Sequence, residues 1–192
     1  MIVKTSDFVT SIANTKDLGK LDLPQFAFVG KSNVGKSSLI NALCNRKYLA
    51  KVSSTPGRTK LINVFKINRQ FFLIDLPGYG FAQTAKSEQN KWQDLIGAYL
   101  LNSEGLRRVF VLIDARREID DKDRLMFDFL YSSNIPFNIV VTKCDKLSRS
   151  SLNMQIIKIA NDIGVGTKDI IVSSSKDKKG IAQILEIIEN LI

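Results

Sequence analysis

The chain of 192 residues contains no histidine. That removes imidazole as a general acid or base, and with it the commonest transition-metal ligand. Cysteine is scarce: Cys44 and Cys144 stand in unrelated segments and are too few for a disulfide scaffold. Reduced thiols in a cytosolic, cytoplasmic protein are the simple expectation. No apolar run reaches membrane-spanning length, and the opening MIVKTSDFVT does not read as a secretory leader. There is no internal repeat and no low-complexity linker. Acidic residues are the rarer charge, 19 Asp and Glu against 28 Lys and Arg, a net charge of +9. A surplus of this size suits a polyanionic partner such as nucleic acid or an anionic membrane surface; solubility alone is the plainer alternative.

What is present suffices for a proper core: 44% of the residues are hydrophobic, in a chain short enough for a single domain over 1–192, with 1–22 as an N-terminal extension. Buried-strand runs appear at 25–29 (QFAFV), 109–113, 137–141 and 170–172. Residues 61–67 and 71–75 read as a hairpin closed by Asn68-Arg69-Gln70. Between the runs, apolar residues recur at helical spacing. Examples are Leu39, Ala42 and Leu43; Trp92, Leu95, Ile96, Tyr99 and Leu100; Met126, Phe129 and Leu130; Met154, Ile157 and Ala160; and Ile181, Ile184, Leu185 and Ile188. Continuous apolar strands alternating with amphipathic helices predict an α/β fold, a mostly parallel sheet covered on both faces. Ligands of such sheets bind beyond the carboxyl ends of the strands.

The informative residues lie there. After the first run stands GKSNVGKSS, residues 30–38. Gly30-x-x-x-x-Gly35-Lys36-Ser37 has P-loop spacing: backbone N–H groups curl around phosphate oxygens, the lysine reaches the terminal phosphates, and the Ser37 hydroxyl can ligate Mg²⁺. A strand before and a helix after give the required context, and the helix dipole favours the anion. After Ile74 comes Asp75-Leu76-Pro77-Gly78. The aspartate can hold a nucleotide's Mg²⁺ through water, and the Gly78 N–H can contact a γ-phosphate. After Val141 comes Thr142-Lys143-Cys144-Asp145. A carboxylate accepts both donors on one edge of guanine and leaves adenine unpaired, a polar match that discriminates by about 10⁴ or more. Lys143 can lay its stem along the base, and Ser173-Ser174-Ser175 offers N–H groups to the guanine O6.

The segments GKSNVGKSSLIN, STPGRTKLINVF, DLPGYGFA, TKCDK and SSSKDKKG span nearly the whole chain. Together they resemble the EngB family (also called YihA or YsxC) of small bacterial GTPases, in the class that includes Era and EngA. The resemblance implies a three-layer Ras-like G domain with one antiparallel strand, and a monomer. It implies GTP and GDP binding through residues 30–38, meaning Gly30, Lys31, Ser32, Asn33, Val34, Gly35, Lys36, Ser37 and Ser38. Further contacts come from Gly57, Arg58, Thr59, Lys60 and Leu61 in the first switch, from Asp75, Leu76, Pro77 and Gly78, from Thr142, Lys143, Cys144 and Asp145, and from Val172, Ser173 and Ser174. Lys36, Thr59 and Gly78 would act in hydrolysis. Ser37, Thr59 and Asp75 would hold Mg²⁺; Thr55 is a rival that the PGRT register disfavours. The partner implied is the large ribosomal subunit, its rRNA and proteins, with a role in subunit assembly and in normal cell division.

Tyr79 stands where many GTPases carry a glutamine that orients the attacking water, so slow unaided hydrolysis is expected. GTPases that lack the glutamine and carry asparagine where Asn33 stands resemble those that bind K⁺ beside the β- and γ-phosphates. A purely loop-structural role for Asn33 stays open. Two other functions are open as well: a binding switch with negligible hydrolysis, and a P-loop kinase, against which the guanine-reading Asp145 argues.

Overall fold

The computed structural model describes residues 1–14, 21–50, 61–79 and 86–192, excluding the side chains of 86–93. Among the described residues seven strands and five helices follow in the order β1 (Ser6–Ile12), β2 (Gln25–Gly30), α1 (Lys36–Leu43), β3 (Ile62–Ile67), β4 (Phe71–Asp75), α2 (Lys86–Asn102), β5 (Leu106–Asp114), α3 (Asp121–Ser132), β6 (Phe137–Thr142), α4 (Arg149–Ile163), β7 (Ile170–Val172) and α5 (Ile181–Glu189). They form one sheet in the order β1-β3-β4-β2-β5-β6-β7. The pairings of β3 with β1 and β4 are antiparallel and the others parallel, so among the described strands β3 runs against the other six.

The strands are apolar on both sides because both faces are covered. Along β2, Phe26 and Phe28 enter a core with Leu39, Leu43, Ile184 and Ile188 of α1 and α5. Ala27 and Val29, pointing the other way, join Tyr99, Phe127, Leu130 and Ile159 of α2, α3 and α4. The chain leaves β2 toward β3 and β4 on one side and reaches β5 on the other, so the crevice for a ligand opens at the carboxyl end of β2. The β3–β4 hairpin closes as expected: Asn68 and Arg69 take left-handed φ of 50° and 58°, and the Gln70 N–H donates to the Ile67 carbonyl at 2.9 Å.

Two details depart from the expected elements. Residues 6–12 form the edge strand β1, which carries a register shift between Phe8 and Thr10; only Ser6 and Ile12 of the seven are buried, so the hydrophobic pattern of a strand is missing. In α4 the buried positions are Leu152, Ile159 and Ala160. Met154 (64% exposed) and Ile157 (52%) face solvent, because the 3.6-residue period that buries 152 and 159 turns 154 and 157 outward.

Candidate nucleotide-binding site

Gly30 ends β2 so close to β5 that a Cβ there would lie 2.8 Å from the Leu112 carbonyl oxygen. Asn33 (φ 63°) and Gly35 (φ 106°) are both left-handed. Asparagine tolerates this conformation better than most side chains, and glycine adopts it freely. Gly35 is also the N-cap of α1. Left-handed residues in such a loop turn successive N–H groups toward one anion. The Lys36 ammonium, nearly buried, donates to Asp75 Oδ1. Asp75 is 2% exposed at the carboxyl end of β4. The loop thus places its lysine and the expected Mg²⁺ carboxylate side by side.

The P-loop and the Asp75–Gly78 loop are stitched together. The Ser32 N–H donates to the Tyr79 carbonyl at 3.3 Å, and the Tyr79 N–H to the Gly30 carbonyl at 3.2 Å. The Tyr79 ring is buried, and its hydroxyl donates to Asp123 Oδ1 at 2.9 Å. Lys31 Nζ reaches Asp123 Oδ2 at 2.7 Å and Asp120 Oδ2 at 2.6 Å. These two aspartates form the capping box of α3. Burial, then the Asp123 charge and hydrogen bond, push the Tyr79 phenol well above its ordinary range. It therefore stays a neutral donor.

On the other side of β2, the Thr142 hydroxyl donates to the Val34 carbonyl at 2.7 Å, so this threonine ties β6 to the P-loop. Lys143, left-handed at φ 58°, donates from Nζ to the Asn33 carbonyl at 2.6 Å and pairs with Asp114 Oδ2 at 3.0 Å. Asp114 also receives Arg116 through Nε (2.9 Å) and an Nη (2.8 Å). Burial alone would raise the Asp114 carboxyl, but Arg116 and Lys143 outweigh it and hold the pKa at about 2. Asp145 Oδ1 accepts from the Ser174 hydroxyl at 3.0 Å, and Lys146 lies 3.4 Å from Oδ2. Burial tends to raise the Asp145 carboxyl, but the Ser174 bond, a backbone N–H and Lys146 bring it below the usual range. Ser173 sits beside Cys144, whose N–H donates to the Ser173 carbonyl at 3.2 Å.

The expected residues of segments 30–38, 75–78, 142–145 and 172–174 therefore gather along the carboxyl ends of β2, β4, β6 and β7. Leu61 is partly exposed just before β3. Thr55, Gly57, Arg58, Thr59 and Lys60 lie outside the described residues. Sequence reasoning overlooked Asp114, Asp120 and Asp123. The Asp120-x-x-Asp123 capping pattern was the available signal for two of them. Arg116, one of the surplus cations, is clamped on Asp114.

The chain is similar to known proteins along its whole length. The family pattern described as "50S ribosome-binding GTPase" matches residues 25–143. A "Probable GTP-binding protein EngB" of Caldanaerobacter subterraneus subsp. tengcongensis is 44% identical over 192 residues, 100% of this chain and 99% of that one. Another of the same name, from Clostridium kluyveri, is 43% identical over 194 residues, 100% and 98% of the two chains. The crystal structure of a probable GTP-binding protein engB superposes with a TM-score of 0.71 at 26% identity, covering 87% of this chain and 97% of that one. With its P-loop, its aspartate-bearing loops and its sheet order, the chain belongs to the EngB family of GTP-binding proteins.

Proposed function

We propose that the protein hydrolyses GTP slowly on its own and acts as an assembly factor for the large ribosomal subunit, supporting normal cell division. The observation that carries the nucleotide part is the convergence of Lys36, Asp75 and the Ser174-held Asp145 on one edge of the sheet. In this reading Asp145 accepts the guanine N1–H and 2-amino donors, with its carboxylate aimed in advance by Ser174. The hydrocarbon stem of Lys143, which passes near Gly35, lines the base. The N–H groups of residues 30–38 cradle the β- and γ-phosphates. Water attacks the γ-phosphorus, the bond to the β-phosphate oxygen breaks, and GDP and phosphate leave. Lys36 and the Gly78 N–H stabilise the charge on the transferred oxygens.

A hard divalent ion fits the donors here: a serine hydroxyl in the first turn of α1 and a buried carboxylate that accepts the preceding Lys36. Ser37 and Asp75, joined by Thr59, would hold Mg²⁺, which would supply positive charge against the β- and γ-phosphate oxygens. Asn33 is exposed on the rim of the loop, so its amide oxygen is available to a K⁺ ion, whose charge would supplement Lys36. Tyr79 supports the slow rate: its hydroxyl is committed to Asp123 and does not replace a water-orienting glutamine. The whole chain is read as one G domain, monomeric and cytoplasmic. Among the described residues no helix is long and apolar enough to cross a membrane.

The ribosomal part rests on the family description and on the net charge of +9. It is tested by co-sedimentation with purified large subunits in GTP-analogue and GDP states, paired with single-turnover hydrolysis with and without subunits. Tighter binding with the GTP analogue and faster hydrolysis on the subunit are expected. A tenfold preference needs only about 1.4 kcal/mol of differential contact. Subunit binding without any hydrolysis would favour the pure binding switch instead.

A further inference from the structure

Two hydrogen-bonded loops, one of which carries the Asp145-binding Ser174, bear exposed lysines and one exposed aromatic ring. The first follows α1. Its base is closed by Asn41, whose side chain accepts from the Ala50 N–H at 2.7 Å and donates to the Ala50 carbonyl at 2.9 Å. Between these anchors Asn45 and Tyr48 take left-handed φ of 47° and 69°. Such a conformation is unusual for tyrosine and persists where the surroundings over-determine it. Tyr48 is 88% exposed. The second loop follows β7 and is closed by the Ser174 N–H donating to the Lys179 carbonyl at 3.2 Å. Lys178 joins the two, donating to Asn45 Oδ1 at 3.0 Å. Lys47, Lys176 and Lys179 are exposed on the same pair of loops.

We infer that these joined loops form a contact surface for RNA, with an unpaired base stacking on Tyr48 and phosphates meeting Lys47, Lys176 and Lys179. The inference rests on the ribosomal reading above and names the surface that serves it. An exposed aromatic ring and exposed lysines on joined loops match single-stranded RNA, whose splayed bases stack on such rings while the backbone follows the cations. An anionic membrane would call for a larger apolar face than one tyrosine. The second loop also carries Ser174, the residue that aims Asp145. The surface therefore adjoins the nucleotide site and can be reached by a partner that responds to its state.

The test uses the full chain with GDP and a fluorescein-labelled uridine oligomer of about 12 nucleotides, read by anisotropy across a salt series. Tyr48→Ala should weaken binding about tenfold and Tyr48→Phe should not, since stacking needs the ring and not the hydroxyl. Lys47→Gln with Lys176→Gln should lower the slope of log affinity against log salt by about 1.4. GDP affinity should be unchanged in all of them. Full RNA affinity in Tyr48→Ala overturns the proposal. A parallel loss of GDP affinity also overturns it, because Tyr48 would then serve the nucleotide. Binding to phosphatidylglycerol vesicles in place of RNA overturns it as well. Co-sedimentation with large subunits separates this surface from the broader reading. Variants that sediment like wild type remove the surface and leave the reading. A wild type that binds the oligomer through Tyr48 yet ignores subunits supports the surface and removes the reading.

Discussion

The Tyr79 hydroxyl donates to Asp123 Oδ1 across 2.9 Å, and the same carboxylate accepts Lys31 of the P-loop at 2.7 Å. One buried aspartate at the start of α3 thus holds both the phosphate loop and the residue after Gly78. Tyr79→Phe removes one donor to a buried charge, a loss of about 1.5–3 kcal/mol. The expected result is a melting temperature lower by roughly 3–12 °C for a chain of this size, with GDP affinity nearly unchanged. Calorimetry together with a GDP titration checks it. An unaltered melting temperature would show that the hydroxyl contributes nothing to the node.

Asp114 makes acid stability depend on a clamp far in sequence from the P-loop. Its folded pKa of about 2 lies below the ordinary 3.8. The contribution is therefore full above the unfolded value and is lost as pH falls through the folded one. It amounts to on the order of 1–2 kcal/mol, discounted because Arg116 is half exposed. Asp114→Asn should be less stable than wild type at neutral pH, and the gap should narrow between about pH 4 and pH 2. Urea midpoints across that range measure it; a gap independent of pH would remove the ion pairs as its cause.

Asp145→Asn should lose GTP and gain xanthosine triphosphate. Xanthine carries a carbonyl where guanine carries its amine, and an amide can donate to it. Guanine discrimination of about 10⁴ is at stake. Titration calorimetry with both nucleotides decides the matter, and equal GTP affinity in mutant and wild type would sink the guanine assignment.

Turnover of GTP should be faster in KCl than in NaCl at equal ionic strength, and Asn33→Ala should abolish the difference while sparing GDP binding. If the two salts give the same rate, Asn33 has only its place in the loop, where it takes φ 63° and its carbonyl accepts Lys143.

Much of this protein was legible in the chain alone. Continuous apolar runs, helical spacing and P-loop glycines specify a covered parallel sheet with phosphate chemistry at the strand ends, because burial on both faces and the backbone angles of an anion loop impose those residue types locally. Asp75 and Asp145 were legible for the same reason: Asp75 ends β4, and Asp145 lies three residues beyond the end of β6. Tertiary structure alone decided the rest. β1 carries too little buried surface to betray a strand, and it exists because β3 offers it an edge. Met154 and Ile157 look like core residues until the orientation of α4 on the sheet turns them to solvent. Asp114, Asp123, Lys31 and Tyr79 come from four separate segments. No spacing rule joins them, since a buried ion pair depends on which loops the fold brings within 3 Å, and that is settled only when the sheet closes its register.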